Sequence, residues 1–455
     1  MRSVEQHAPV AAVEDQADGI PRQREGLARL PGDMPKQVIE RGGWLDTFAA
    51  FGHRNYRIFF FGQVISLIGT WLQTTAEGWL VYELSGSSVA LGFIRFATML
   101  PFALIALWGG IVADRRSKRE ILIYTQSASM ILALVLAALV YFDLIEVWHV
   151  AALGFLLGTV NAFDVPARQA FVVELVGRED LVNGIALNSS MFNLARVVGP
   201  AIAGLLIGVI GIAGCFFINA ISYIAVIFGY SRLKLPKFEP RTDHPPFFEA
   251  IREAFRYIAD HGPLRAIMIL VSTFSLFGVS FAVLMPVFTK DILHGDAQSF
   301  GLLMAANGGG ALLGGIALAS FGKRIRRKLL VYLGLFGCSS MLILFALSKT
   351  FWLSWALLLA AGFFMIIFLA TANTATQLRS PDRLRGRIMS FYSLCFLGMS
   401  SIGSLVTGVL ARFFGAPGAV ILGAGVCVVV GLMVYRRIIP IPQDPVSVEV
   451  SGSSE

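Results

Sequence analysis

Long apolar runs separated by short polar segments set the pattern of this chain. Each run is long enough to cross an apolar layer of about 30 Å as a helix. The first six runs cover 57–82, 88–112, 120–142, 148–174, 184–209 and 212–231. The second six cover 264–289, 298–320, 328–347, 351–375, 387–411 and 417–436. The pattern predicts an all-α polytopic membrane protein with twelve transmembrane helices.

The polar segments divide the chain into five parts. Residues 1–44 and 438–455 are polar and lack the apolar core of a signal peptide, which predicts disordered tails. Residues 45–231 and 263–437 each hold six runs, which predicts an N-terminal and a C-terminal six-helix bundle. Residues 232–262 form the charged linker between the bundles.

The linker contains apolar residues at helical spacing beside Glu249, Arg252 and Arg256. Such a pattern predicts an amphipathic helix that lies along the membrane surface. Two roles are compatible with it, a strap between the bundles and a regulatory element, and the strap is the simpler one.

Charge is unevenly distributed over the loops. The chain is 56% hydrophobic and 15% charged, with a net charge of +8. The loops on one side carry most of the lysines and arginines, whereas those on the other side hold only Lys290, Lys349 and Arg412. Basic loops face the cytoplasm, so both termini are expected there and the protein in the inner (plasma) membrane. Topology explains the basic charge, and no nucleic-acid partner is expected.

Enzymatic and metal-binding chemistry have no visible motif. The four cysteines lie far apart inside apolar runs, without metal-ligand spacing. Nucleotide-binding loops, zinc-protease motifs and nucleophile elbows are not recognisable. We therefore expect no enzymatic activity, no metal and no cofactor.

The two halves of the chain share local sequence. Glu179-Asp180-Leu-Val-Asn-Gly184 precedes the fifth run, and Pro381-Asp382-Arg-Leu-Arg-Gly386 precedes the eleventh, at the corresponding place. Two six-helix bundles related by a parallel repeat are typical of transporters that rock between two states. The repeat predicts two pseudo-symmetric bundles.

The loop after the second run carries the most specific motif. It combines one acid with a glycine and several bases: Gly110, Asp114, Arg115, Arg116, Lys118 and Arg119. The matching loop of the second half, from Gly315 to Arg327, has bases but no acid at the corresponding place. An acid beside a basic cluster at the end of a membrane helix suggests a latch, and the alternative is that these bases serve only to orient the protein.

Together these features resemble the major facilitator superfamily, over about residues 50–437. Segments 54–57, 161–171 and 193–204 resemble the branch that contains enterobactin and macrolide exporters. Ser117 stands where that family usually has glycine. The resemblance implies that Asp114 pairs with bases of its loop and with the start of the eleventh helix. Asp164 and Arg168 lie near the cytoplasmic end of the fourth run, and we expect them, with Asp382, to join this cytoplasmic network rather than bind substrate.

Three charged residues lie inside apolar runs: Glu77, Arg95 and Arg196. Each costs about 2.5–3.5 kcal/mol on insertion scales unless it is paired or faces water. Glu77 and Arg95 could form a structural ion pair. Alternatively, Glu77 binds the transported proton and Arg95 or Arg196 tunes its acidity.

Small and aromatic residues add two further predictions. Gly199, Pro200 and Gly204 of the fifth run and Gly314 and Gly315 of the eighth are expected to let these helices pack closely and to act as a hinge. Several aromatic side chains are candidates for an apolar substrate cavity: Trp79, Phe96, Phe274, Phe277, Phe281, Phe364 and Phe368.

The sequence therefore predicts a monomeric secondary transporter in the lipid bilayer. It would export a small, partly apolar molecule, drug-like or siderophore-like, by proton antiport and rocker-switch alternating access. Two alternatives remain at this point. One is an importer or lipid flippase on the same fold, and the other is a membrane scaffold that transports nothing.

Overall fold

The computed structural model describes the chain in four segments, 49–177, 179–233, 247–381 and 383–435. These segments contain helices and turns and no strand. The predicted tails (1–44 and 438–455), Asp382 and the linker residues 234–246 lie outside the described residues.

Ten of the described helices are long and apolar enough to span a membrane. The first half contains α1 (Arg54–Ser85), α2 (Ser88–Arg115), α3 (Lys118–Tyr141), α4 (Val147–Val176) and α5 (Leu181–Ser231). After a short linker helix, α6 (Phe247–Asp260), the second half contains α7 (Gly262–Ile292), α8 (Ala297–Phe321), α9 (Arg327–Leu347), α10 (Phe351–Arg379) and α11 (Arg385–Val434).

Two of these helices are double spans. The 51 residues of α5 would form a rod of roughly 75 Å if straight. Gly211 interrupts α5 with a φ of 74°, and Gly415 interrupts α11 with a φ of 72°. Both angles lie in the left-handed region that glycine tolerates best. With α5 and α11 counted as two spans each, the predicted fold of twelve transmembrane helices is confirmed.

Contacts with α1 show that α5 folds back at Gly211. Before this glycine, Met191 packs near Leu67 and Gly199 lies against Trp71, so the first limb runs parallel to α1. After it, Asn219 bonds to Gln73 and Tyr230 bonds to Gln63, so the second limb runs antiparallel. The chain thus reverses its direction between the predicted runs 184–209 and 212–231.

This topology places the loops at two opposite ends of the helices. We call one the Asp114 end, which carries the connections at 116–117, 177–180, 322–326 and 380–384. We call the other the Gly211 end, which carries the connections at 86–87, 142–146, 293–296 and 348–350 and the turns at Gly211 and Gly415.

Equivalent close contacts recur in the two halves. Gly158 of α4 lies against the carbonyl oxygen of Thr98 in α2, and Gly362 of α10 lies against that of Asn307 in α8. A side chain at either glycine would collide with the neighbouring backbone. The internal repeat seen in the sequence therefore corresponds to repeated helix packing.

The two halves meet through backbone contacts on the side of the Gly211 end. Gly92 of α2 lies against Ser404 of α11, and Gly301 of α8 lies against Pro200 and Gly204 of α5. The described state is therefore closed at the Gly211 end.

The glycines of α8 that contact α5 are not the two that the sequence predicts. Gly301 and Gly308 face α5 across the two halves, rather than Gly314 and Gly315. Gly314 is closely packed, but against Phe363 of α10 in its own half, and a Cβ atom added at Gly315 would meet no atom within 4 Å. Counting glycines in a run could not tell which face of the helix meets which neighbour.

The linker helix α6 packs on the second half. Ala254 and Ile258 are buried in the core of that half, whereas Arg252, Phe255 and Arg256 are exposed. Glu253 forms ion pairs with Arg383 and Arg387 at the start of α11. This helix thus holds the segment where the eleventh span begins.

Candidate functional site

The carboxyl group of Glu77 lies in a small pocket inside the first half. The pocket is lined mainly by leucines and other apolar residues of α3 and α4, with Gln73 from α1: Leu132, Leu136, Val150, Leu153, Gly154 and Leu157. Gly154 lies close to Thr98 of α2, since a Cβ atom there would lie 2.5 Å from Thr98 Oγ1 and 4.0 Å from Glu77 Oε1. Among the described residues, no basic group forms an ion pair with Glu77 within 4.0 Å.

Arg95 is the basic residue that acts on Glu77. Its charge attracts the Glu77 carboxylate, although the two groups form no direct ion pair. The Arg95 side chain is exposed at the surface of the protein, whereas Glu77 is half-buried. The structure thus gives an electrostatic neighbour rather than a closed salt bridge.

Arg196 is engaged elsewhere. Its Nη2 donates a hydrogen bond of 3.0 Å to Asn307 Oδ1, which joins α5 of the first half to α8 of the second. Asn307 also donates to the carbonyl oxygen of Leu358 in α10, at 3.4 Å. The three intramembrane charges therefore do not form one cluster, and Arg196 belongs to the contact between the halves.

Asp164 of α4 is buried, with 4% of its surface exposed. Its Oδ1 accepts hydrogen bonds from Thr125 Oγ1 at 2.9 Å and from Gln126 Nε2 at 2.8 Å, both on α3. Arg168 lies one turn along α4, with its Nε 3.5 Å from Asp164 Oδ2. Among its described contacts, Asp164 is thus linked to the interior of the first half.

The bases of the Asp114 motif take two different positions. Lys118 pairs with Glu174 of α4, and Arg119 donates to the carbonyl oxygen of Ser231 at the end of α5, at 2.8 Å. Arg115 and Arg116 are exposed. Lys118 and Arg119 therefore anchor α3 within the first half, and Arg115 and Arg116 stay accessible at the Asp114 end.

Two contacts at the Gly211 end could not be predicted from the sequence. Tyr82 of α1 donates a hydrogen bond to Asp291 of α7. Trp79, one turn earlier, stacks on Phe300 of α8 with the ring centroids 5.7 Å apart. Nothing in the local sequence relates these residues, because they are about two hundred positions apart.

The aromatic residues proposed for a substrate cavity are mostly core residues. Phe274 and Phe368 are fully buried and face each other with ring centroids 4.7 Å apart. Phe281 is also buried in the second half. A tight aromatic core stabilises this half by apolar burial, so the expectation of a cavity is wrong for these three side chains.

The fold, together with the family match over residues 45–449, defines the class, a multi-pass membrane transporter of the major facilitator superfamily. Solved structures share the fold. A bacterial homologue of the human lysosomal transporter Spinster, in an inward-facing and unoccupied conformation, superimposes with a TM-score of 0.68 at 13% identity, over 87% of this chain and 98% of the other. A bacterial homologue of the iron transporter ferroportin, inward-facing, gives a TM-score of 0.64 at 16% identity, over 85% and 98%.

Within this superfamily, the chain belongs to the transmembrane secretion effector family, which it matches over residues 45–449. It is 26% identical to the staphyloferrin A transporter of Staphylococcus aureus, over 79% of this chain and 90% of the relative. It is also 26% identical to the multidrug efflux pump Tap of Mycobacterium tuberculosis, over 83% and 91%. Macrolide efflux protein A of Streptococcus pyogenes is 24% identical over 62% and 72%. This is a family of transporters and not of enzymes.

Proposed function

We propose that this chain is a monomeric secondary exporter that moves a small, partly apolar molecule out of the cell in exchange for protons. One observation carries the proposal, the Glu77 carboxyl group in an apolar pocket of the membrane-spanning region. A charged side chain in the membrane costs about 2.5–3.5 kcal/mol on insertion scales. Binding a proton removes this charge, and releasing it restores the attraction to Arg95. Glu77 is therefore the proposed proton carrier.

Alternating access would let such an exporter take up its substrate from the cytoplasm and release it outside. The basic loops orient the Asp114 end toward the cytoplasm in the inner membrane. Since the halves touch near the Gly211 end, the described state is then closed toward the outside. In the opposite state, Asp114 closes the cytoplasmic side by contacting the start of α11. A ligand or proton drives the cycle only through different affinities for the two states.

The named relatives support the substrate class. They transport a siderophore, staphyloferrin A, or are named for the efflux of macrolides or several drugs. We propose a molecule of this kind, with both apolar and polar parts, for the present chain. Each proton that enters the cell releases about 2.3 kcal/mol per 100 mV of membrane potential, which can drive uphill export.

The proposal is tested in proteoliposomes that carry an internal pH dye. Addition of a macrolide or staphyloferrin A to the wild-type protein should start proton movement that depends on the substrate. The variant Glu77→Gln should abolish this proton movement, because an amide cannot take up and release a proton. Glu83→Gln is the matched control, since Glu83 lies on the same helix but is exposed. Full substrate-dependent proton movement in Glu77→Gln would refute the assignment.

A further inference from the structure

Buried polar side chains follow one another through the interior of the first half. The series starts at Asp164, which accepts hydrogen bonds from Thr125 and Gln126 of α3. One turn further along α3, Ser129 is buried beside the hydroxyl group of Tyr223 in the second limb of α5. These contacts carry the series from α4 through α3 to α5.

The series then continues to α1. Asn219, one turn from Tyr223, lies with its Nδ2 3.5 Å from the Tyr223 hydroxyl oxygen. The same Nδ2 donates a hydrogen bond of 2.6 Å to Gln73 Oε1. Gln73 lies one helical turn before Glu77, and both line the same pocket. We call Asp164, Gln126, Ser129, Tyr223, Asn219 and Gln73 the polar seam.

The seam is long enough to cross a good part of the membrane. On α4 it extends from Asp164 to the level of Gly154, which borders the Glu77 pocket, a rise of about 15 Å at 1.5 Å per residue. Titratable groups lie at both ends. Arg168 lies 3.5 Å from Asp164 at one end, and the charge of Arg95 acts on Glu77 at the other.

One atom of the seam lacks a hydrogen-bond partner. Gln126 is 5% exposed, and its Oε1 is buried without a partner although its Nε2 is bonded to Asp164. Buried polar atoms in this situation are normally satisfied by an ordered water molecule. The unsatisfied oxygen therefore points to water inside the seam.

At the positions equivalent to Thr125 and Asp164, the second half has an apolar contact. Counted from the starts of the corresponding helices, Thr125 and Asp164 correspond to Gly334 and Phe368. The equivalent positions are in contact in both halves, since a Cβ atom at Gly334 would lie against the backbone of Phe368. A polar bond in the first half thus corresponds to an apolar contact in the second.

One helical turn further along, the polar residues of the first half are again replaced in the second half. Ser129 and Tyr223 correspond to Cys338 and Cys427, counted from the start of α9 and from Gly415. Cys338 and Cys427 are buried and close enough to interact electrostatically. The packing at these positions is therefore shared by both halves, whereas the hydrogen-bonding groups found there in the first half are replaced in the second.

We propose that the polar seam is a water-filled proton path that connects Asp164 with Glu77 inside the first half. The inference rests on the proposed function, because Glu77 is the carrier that the path serves. In the cytoplasm-open state, a proton released from Glu77 leaves through bound water and the Tyr223 hydroxyl group toward Asp164. The substrate then uses the space between the halves, separate from the proton.

Thiol labelling tests the presence of water without any substrate. Two variants are compared. In the first, all four native cysteines are changed to alanine and Ser129→Cys is added. In the second, Cys338, at the equivalent position, is kept and the other three native cysteines are changed to alanine. A small cationic methanethiosulfonate reagent should modify Ser129→Cys at least about tenfold faster than Cys338, because thiol modification requires access to water. Labelling after denaturation checks that both thiols are intact. Equal or slower labelling of Ser129→Cys would overturn the proposal.

Proton movement tests the path itself. Asn219→Leu places an apolar side chain in the seam, and it should slow substrate-dependent proton movement by roughly tenfold or more. Ala424→Leu, in the corresponding limb of the second half, controls for overpacking. If Glu77→Gln abolishes proton movement and Asn219→Leu leaves it at the wild-type rate, the path is refuted and the exporter proposal stands. If Glu77→Gln leaves it intact, the assignment of Glu77 as the proton carrier fails, while the labelling result still decides whether the seam is hydrated.

Discussion

Tyr82 of α1 donates a hydrogen bond to Asp291 of α7 and thereby links the two halves at the Gly211 end. Tyr82 is 7% exposed, so its hydroxyl group gains little from water. The ammonium group of Lys290, next to Asp291, lies 5.9 Å from the centroid of the Tyr82 ring. This contact belongs to the described state and must break when the Gly211 end opens.

The variant Tyr82→Phe should therefore favour opening of the Gly211 end. A hydrogen bond to a charged group contributes about 1.5–3 kcal/mol, so its loss should raise the open population by roughly tenfold or more. Spin labels at Asp143 and Lys349, exposed on the two halves, would report the change as a larger share of long distances. Tyr141→Phe is the control, because Tyr141 is 75% exposed at the same end. An unchanged distance distribution in Tyr82→Phe would contradict this role.

Close packing at Gly301 gives a second prediction. A Cβ atom at this position would collide with Gly204 of α5, whereas one at Gly309 of the same helix would meet no atom within 4 Å. Gly301→Leu should keep the halves apart at the Gly211 end and reduce transport by roughly tenfold or more, since overpacking typically costs about 1–3 kcal/mol. Gly309→Leu should transport normally. Similar transport by both variants would show that the crossing of α5 and α8 does not need a glycine.

The proposed latch at Asp114 gives a third prediction. A carboxylate near a helix N-terminus contributes about 0.3–1 kcal/mol. Asp114→Asn should therefore lower the population closed at the Asp114 end by roughly twofold to fivefold. Spin labels at the exposed residues Glu120 and Ser390 would measure this population, with Glu179→Gln as the control acid at the same end. A closed population equal to that of the wild type would exclude the latch.

The N-cap of α8 gives a prediction on pH. Asp296 accepts a hydrogen bond of 2.9 Å from the backbone nitrogen of Ser299, which lowers the pKa of its carboxyl group. The charged form is thus favoured in the folded state, and this contribution is present above the ordinary value of 3.8 and lost as the pH falls through the folded-state pKa.

Thermal unfolding at several pH values would measure this contribution. Asp296→Ala should lower stability near pH 7 by about 1 kcal/mol, the usual value of an N-cap. Asp296→Asn keeps a capping oxygen without the charge, so its difference from the wild type should shrink only as the pH falls below 3.8 and through the lowered folded-state pKa. A difference that persists in acid would mean that the charge of Asp296 is not responsible.

The membrane topology follows directly from the sequence, because a helix in an apolar layer must satisfy its backbone hydrogen bonds internally and requires a long apolar run. The superfamily could also be predicted, since the Asp114 motif and the repeated Asp-x-x-x-Gly segments are local patterns. The side-chain contacts inside the first half could not be predicted. Asp164 and Arg168 lie near the cytoplasmic end of the fourth run, which suggested the network at the Asp114 end. In the structure Asp164 pairs with Arg168 and bonds to Thr125 and Gln126 of α3.

The sequence by itself determined the spans, the reversal between 209 and 212, and the asymmetry of charge between the halves. Only the tertiary structure decided which helix faces meet. The glycine at the crossing is Gly301, Arg196 binds Asn307, and Ser129 lies beside Tyr223. Hydropathy specifies that a residue is inside the membrane, but in a protein apolar on nearly all sides it does not specify which neighbour the residue contacts. That choice depends on the packing of helices that are distant in the chain.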